Sequence, residues 1–562
     1  MWSVLLLLAA GVLAAEPPEV VKVEPPNWWA GHSISPVRLL IRGTGLNGAR
    51  IESAFRTGRV HPNARGTALF VDVYVPRDAK PGAVSIKVIT KEGTAAVPFE
   101  ITPRLSPGGR FQGFSPDDVM YLIMPDRFAS GDTSNDAGID KTSLRRYHGG
   151  DFDGIIAKLP YLRDLGVTAI WLNPVYNNED HDYHGYHAVD FYSVEDRFGD
   201  MAGFRDLVDA AHRHGIRVIQ DQVANHTGPR HPWVSDPPTP TWFNPHTPNS
   251  WQTWTLMDPY ASAETRRATL EGWFVNRLPD LNQNDEEVRR YLIQNTLWWI
   301  GMTGIDGIRQ DTLPYVPREF WREWSAAVRR EYPNVRVVGE VLDRNPALVS
   351  MFQGDVDTVF DFPLYFAIRR VFHEGKPLRE LPETLAHDRL YKDPSTLVTL
   401  LGVHDVPRFQ NADSIRLAFT FLMTTRGTPL IYYGDEIAMQ GGADPDNRRD
   451  FPAKSAWTPE QNAVFEHVRK LARFRAENVR FMREKLQNLV TLEQQYVYSR
   501  GGEIVVAMNN GSKPVTLTFA LDRDADASDV LGSEARLTSK AGRATVQLPA
   551  RSAAIFSLKR PR

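Results

Sequence analysis

The sequence predicts a (β/α)8 barrel with a subdomain inserted after its third strand, flanked by N-terminal and C-terminal β-sandwich domains. Three observations predict it. Short apolar runs alternate with amphipathic helical stretches through the middle of the chain. Polar and charged residues gather at the C-terminal ends of those runs, where barrel enzymes place their chemistry. Towards both ends of the chain the pattern changes to short β-branched runs broken by Gly, Pro and Asn.

Taken in order, Met1–Ala15 (MWSVLLLLAAGVLAA) is an apolar run ending in small residues. It is too short to span a bilayer and reads as a secretory signal peptide, so the expected location is exported, periplasmic or extracellular. Residues 16–104 carry VRLLIRGTGL, ALFVDVYVP and AVSIKVITK, which read as strands of a small sandwich. Trp28–Trp29, after Pro25–Pro26, suits either an anchor in that sheet or a contact to another domain. Residues 112–485 hold eight strand candidates: VMYLIM, VTAIWLNP, IRVIQDQV, IDGIRQD, VRVVGEV, DTVFDFP, TLVTLLGVHD and PLIYYGDE. FRDLVDAAHRHG, EVRRYLIQNTLWWI and REFWREWSAAVRREY are among the helical segments between them. About 75 residues separate the third and fourth runs, far more than a simple loop. They include a Pro/Trp-rich stretch, and an inserted subdomain over the active-site face, about residues 227–280, is expected. Residues 487–562 return to strands and close the chain as a second sandwich.

With 562 residues and 42% hydrophobic content, about three domains with sizeable cores are expected. Lys+Arg 65 against Asp+Glu 68 leaves a net charge of -3, which gives no basic stripe for nucleic acid. No membrane span is expected. Without cysteine there is no disulfide framework, so export rests on the leader alone. Trp 14 and Tyr 18 supply flat faces that suit sugar rings, although most should lie in the core.

The chemistry sits at three strand ends, those of the fourth, fifth and seventh runs. Arg309 and Asp311 end one run, Glu340 the next, and His404–Asp405 another. Any one acid there could be a cap or a salt-bridge partner. Together they supply what glycosidic bond cleavage needs: one acid at the anomeric carbon, one to protonate the leaving oxygen, and further groups to grip the sugar. Arg309 lies two residues before Asp311 on a strand, so both point to one face, and its fixed charge favours ionised Asp311. His181, His184 and His187 recur at three-residue spacing, which taken alone could be a metal cluster. His212 and His214 in AHRHG read as a solvated helix face.

DQVANH (221–226), GIDGIRQD (304–311), VVGEV (337–341) and GVHD (402–405) occur in order. They resemble the four signature regions of the alpha-amylase superfamily, glycoside hydrolase family 13. LPDLN (278–282) and GADPDNRRDFP (442–452) resemble segments of its cyclomaltodextrinase and neopullulanase relatives. The resemblance implies a hydrolase acting on α-1,4 bonds of cyclodextrin, pullulan or other α-glucan oligosaccharides through a covalent intermediate, with transglycosylation or α-1,6 activity left open. It assigns Asp311 as nucleophile, Glu340 as acid/base and Asp405 as the acid that binds sugar hydroxyls. The two working carboxyls should then sit roughly 5–5.5 Å apart, with the Glu340 pKa raised. His226 and His404 would donate to the sugar, Tyr186 would stack on it with His184 beside it, and Asp221 would support the site from behind. Alternatives on the same fold are a glycosyl isomerase or transferase and a non-catalytic glucan-binding protein.

DRFASGDTSNDAGID with the later HGGD resembles a calcium loop of this subgroup, with Asp132, Asn135, Asp136, Gly149 (by its carbonyl) and Asp151 as ligands. An Asx-turn loop without an ion is the other reading, and Ser130 stands where relatives often carry Asn. A second calcium position in the family involves Asn225. The resemblance implies no organic cofactor, and homodimers built through the N-terminal domain are common in the subgroup. Two departures fall near the expected sugar subsites: Val403 where many relatives have a polar residue, and Leu342 where cyclomaltodextrinases usually show Trp.

Overall fold

The computed structural model describes residues 16–409 and 411–558. The leader expected at Met1–Ala15 lies outside the described residues. The central sheet has eight parallel strands, here β1 (Met120–Ile123), β2 (Ala169–Leu172), β3 (Arg217–Gln222), β4 (Gly307–Gln310), β5 (Arg336–Gly339), β6 (Thr358–Val359), β7 (Val398–Leu400) and β8 (Thr428–Tyr432). Each pairs with its neighbours in sequence, β1 pairs with β8, and a parallel bridge from Phe360 to Val398 closes β6 on β7. Most strand residues are buried, as barrel strands covered on both faces must be.

Helices α1 (Phe152–Leu165), α2 (Met201–Arg213), α3 (Glu286–Thr303), α4 (Arg318–Glu331), α5 (Pro346–Phe352), α6 (Phe362–Phe372), α7 (Ala412–Thr424) and α8 (Pro459–Glu477) follow the strands in turn. Their limits are written locally. Asp151, Asp200 and Asp285 cap the starts of α1, α2 and α3 by accepting from backbone N–H groups. Gly304 ends α3 in the left-handed region. In α4, Phe320, Trp321, Trp324, Ala327 and Val328 are buried at helical spacing.

His212 departs from the solvated face expected of it. Its Nε2 lies 2.7 Å from Asp306 Oδ2, and that carboxylate also accepts from the Val218 and Gln112 N–H groups. The helical pattern placed His212 on α2, but only the fold brings Asp306 from the start of β4 beneath it.

The N-terminal domain has three small sheets spanning Glu19–Ile101 and packs on α3. Arg38 grips Asp72 and reaches Glu287 on α3 at 2.6 Å. Trp28 and Trp29 are both buried, and Trp29 lies against Gly301 of α3, where a Cβ would come within 2.7 Å of its ring. One apolar core runs through this domain and the barrel, and a second fills the space between the two four-stranded C-terminal sheets. Among the described residues no helix is long and apolar enough to cross a membrane.

Candidate active site

A cleft of about 640 Å³ opens where the barrel strands end. Asp311, Glu340, Asp405, His184, Tyr186, His226 and His404 all line it. Arg309 lies beneath them and organises the floor. The strand register sets Asp221 of β3 opposite Arg309 of β4. From there Arg309 Nη1 reaches Asp221 Oδ1 at 2.8 Å and Asp311 Oδ1 at 2.7 Å, while Nη2 reaches Glu340 Oε1 at 2.8 Å. One guanidinium thus holds Asp311 and Glu340 on its two terminal nitrogens, which keeps the two carboxyls close together.

Burial raises the pKa of all three acids, with Arg309 opposing. Asp221 rises to about 7, but it accepts from Trp171 Nε1, Tyr186 Oη and Arg309, so its oxygens are engaged as a brace. Asp311 has its Oδ1 on Arg309 and lines the cleft. Glu340 is pushed up to about 8 by burial, with Asp311 and Asp405 adding to the rise against Arg309. It accepts from the Thr312 N–H through Oε2 at 3.1 Å. Both carboxyls pair with Arg309, and the one raised to about 8 is suited to give a proton at neutral pH.

Asp405 faces the solvent side of the cleft, with Arg448 Nη2 at 3.2 Å and His404 Nε2 at 3.2 Å. His404 stacks on Tyr186 with ring centroids 5.3 Å apart. Burial, then Arg448 and Arg309, hold His404 well below the usual histidine range, so it is neutral. The sugar-donor role expected of His226 is not what its contacts show. Its Nε2 lies 3.2 Å from the Tyr186 carbonyl, which can only accept, and its Nδ1 faces Asn225 Nδ2. Both ring nitrogens are used within the protein, and His226 positions Tyr186. Val403 is buried and absent from the cleft lining, whereas Leu342 is 45% exposed on it.

The histidine cluster resolves differently from its spacing. Asp182, His184 and His187 are the one group of three His, Asp or Glu among the described residues whose ligand atoms lie within 4.8 Å of one another. His184 Nδ1 accepts the Tyr186 N–H, which puts the imidazole proton on Nε2, facing Asp182 at 3.7 Å. That nitrogen has no lone pair for an ion. His187 Nδ1 meets Asp182 at 2.7 Å, a pair that fits polar recognition at the cleft wall.

In the loop before α1, Asp151 accepts from the Gly131, Asp132 and Gly154 N–H groups, and Asp132 from Ser134. Asn135 Oδ1 and Asp136 Oδ1 are buried with no hydrogen-bond partner. Gly149 has φ +84, and a Cβ there would come within 2.2 Å of Asp136 Oδ1. The two orphaned oxygens of Asn135 and Asp136 are hard donors that fit a divalent cation, while Asp151 and Asp132 are already engaged with N–H groups. Asn225 Oδ1 is likewise buried without a partner.

Sequence reasoning did not single out Arg448, Asp182, Trp251, Phe274 or Tyr315 for the site. Arg448 sits within the GADPDNRRDFP segment, where a basic pair after the last strand was a readable signal. The three aromatic residues come from loops whose meeting depends on the whole fold.

The family description "Alpha amylase, catalytic domain" matches residues 122–487, and "Cyclomaltodextrinase, N-terminal" matches residues 22–105. The chain is 32% identical over 424 residues to neopullulanase 2 of Thermoactinomyces vulgaris, covering 71% of this chain and 70% of that protein. It is 31% identical over 453 residues to the beta/alpha-amylase of Paenibacillus polymyxa, covering 76% of this chain but only 36% of that longer protein. Among solved structures, the alpha-amylase of Geobacillus thermoleovorans complexed with acarbose superposes with a TM-score of 0.72 at 32% identity, covering 80% of this chain and 99% of that one. With these matches spanning the barrel and its N-terminal domain, the chain belongs to the alpha-amylase family, glycoside hydrolase family 13.

Proposed function

We propose that this glycoside hydrolase cleaves α-1,4-glucosidic bonds of cyclodextrins, pullulan or maltooligosaccharides with retention of configuration. The observation that carries the reading is the single Arg309 guanidinium holding Asp311 and Glu340 side by side in the cleft. Asp311 attacks the anomeric carbon through the oxygen that Arg309 leaves free. The bond from that carbon to the leaving oxygen breaks, and Glu340 gives its proton to that oxygen. Glu340, now ionised, takes a proton from water as the water oxygen attacks the same carbon and displaces Asp311. Asp405, with Arg448 and His404 beside it, binds sugar hydroxyls, and Tyr186 offers its ring face to the sugar.

Three further parts belong to this proposal. The loop from Asp132 to Asp151 holds a structural calcium ion, supported by the orphaned Asn135 and Asp136 oxygens. The protein is exported, on the strength of the apolar leader. It forms homodimers through its N-terminal domain, on the strength of the match to the cyclomaltodextrinase N-terminal family.

Purified protein is incubated with β-cyclodextrin, pullulan and starch, beside Asp311→Ala. Ring opening or chain shortening that disappears in the variant supports the reading. Folded wild-type protein that yields no product from any glucan overturns it.

A further inference from the structure

One side of the cleft is charged, lined by Arg145, Asp182, Asp405, Asp444 and Arg448. All but one of these are already partnered. Arg448 reaches Asp405 and Asp444, each at 3.2 Å, and Asp182 meets His187 at 2.7 Å. Arg145 is exposed on the lining, and among the described residues its guanidinium has no hydrogen bond or ion pair.

The turn that carries Arg145 is held firmly. Residues 143–146 close on a bond from the Arg146 N–H to the Ser143 carbonyl at 3.0 Å. The buried Arg127 guanidinium donates through Nη2 to the Leu144 carbonyl at 2.9 Å and to the Arg146 carbonyl at 2.8 Å, so it grips the chain on both sides of Arg145. That guanidinium lies over the Tyr183 ring, 3.9 Å from its centroid. Arg146 contacts His181 and does not line the cleft. His148 meets the Ser143 carbonyl at 3.1 Å and Asp450 at 2.5 Å. Arg145 therefore starts from a fixed backbone at the cleft edge, which lowers the ordering cost when a ligand engages it.

The turn stands on the side of Asp405. Phe451, three residues after Arg448, donates its N–H to the Arg127 carbonyl at 2.8 Å. Under the function proposed above, on which this inference rests, Asp405 and Arg448 hold the sugar that bonds to Asp311, and Glu340 faces the leaving oxygen. The turn thus belongs to the side that keeps the glycosyl group, not the side that releases the leaving sugar. A guanidinium offers a planar fork of donors and no acceptor. Three carboxylates on the same side disfavour an anionic partner, so what suits the fork is a pair of neutral hydroxyls on one sugar ring.

We infer that Arg145 is a specificity-determining residue: it binds hydroxyls of a further glucose unit, beyond the one at Asp405, and makes the enzyme prefer longer glycosyl groups. It touches no reacting atom. Its contribution is the same in the bound substrate and in the transition state, so it enters through KM rather than kcat.

The test holds the leaving group constant. p-Nitrophenyl α-glucoside, α-maltoside and α-maltotrioside are compared by kcat/KM for p-nitrophenol release, read as the gain from added glucose units. The gain is a ratio taken within active molecules, so partial misfolding of a variant does not distort it. Arg145→Ala should cut the gain from glucoside to maltotrioside about tenfold, chiefly through KM, and Arg145→Lys should restore part of it. Arg146→Ala, on the same turn, should keep the wild-type gain. A wild-type gain in Arg145→Ala, or the same loss in Arg146→Ala, overturns the inference and leaves the proposed function standing. So does a wild type that cleaves glucans yet gains nothing from added glucose units. A wild type inactive on every glucan and glycoside sinks both.

Discussion

Arg309 contacts Asp221, Asp311 and Glu340 at once, so the charge state of the floor turns on one side chain. Under the proposed mechanism Glu340 must be protonated for the first step, and burial lifts it to about 8. Activity should therefore fall as pH rises through about 8, in the limb of kcat/KM that reports the free enzyme's acid. Glu340→Gln should lower kcat about 10²–10⁴-fold and remove that limb. The raised value also has a sign for stability. Folded protein holds this proton where the unfolded chain has lost it, so the favourable contribution present below 4.5 is lost as pH rises to about 8. Glu340→Gln, which cannot ionise, should melt higher relative to wild type at pH 9 than at pH 4; a pH-independent difference would contradict this. The acids were legible because strand ends mark barrel chemistry. The tasks of His226 and His184 were not, because each depends on which atom of Tyr186 lies beside it.

At the scale of elements, the loop before α1 and the contact of α3 each carry a prediction. If the orphaned Asn135 and Asp136 oxygens bind calcium, ion at a hundred times its Kd stabilises the protein by about 2.7 kcal/mol. Thermal melting with EDTA and then with added calcium should show the shift, and Asp136→Ala should abolish it. An identical Tm in both conditions counts against calcium in this loop. In α3, Gly301 lies under Trp29 and Tyr332, both buried, and a Cβ would come within 2.7 Å of the Trp29 ring and 2.6 Å of the Tyr332 hydroxyl, so added atoms force the two side chains to shift. Gly301→Val should cost ~1–3 kcal/mol by overpacking, which a urea titration measures, even though leaving glycine favours the helix. The strands and main helices were legible because period and caps are local. The inserted segment was legible only as a long, aromatic-rich gap. Its short turns and isolated bridges are fixed by Trp233 and Trp242 packing against Tyr291 of α3, a contact no local pattern contains.

At the scale of the whole molecule, the parts meet through α3. It feeds the strand that carries Arg309 and Asp311, and it receives the N-terminal domain through Glu287, Tyr291 and Trp298. Tyr291 also supports the inserted segment that supplies Trp251, so one helix joins the outer domain, the barrel and the cleft wall. Under the proposed mechanism Asp311 bonds to one face of the anomeric carbon and water then displaces it from the opposite face, so the configuration is retained. The most direct test is proton NMR of the reducing end released in the first minutes of glucan hydrolysis, before mutarotation. The α-anomer appearing first is the predicted result. The β-anomer appearing first would mean a single inverting displacement, and would contradict the role given to Asp311.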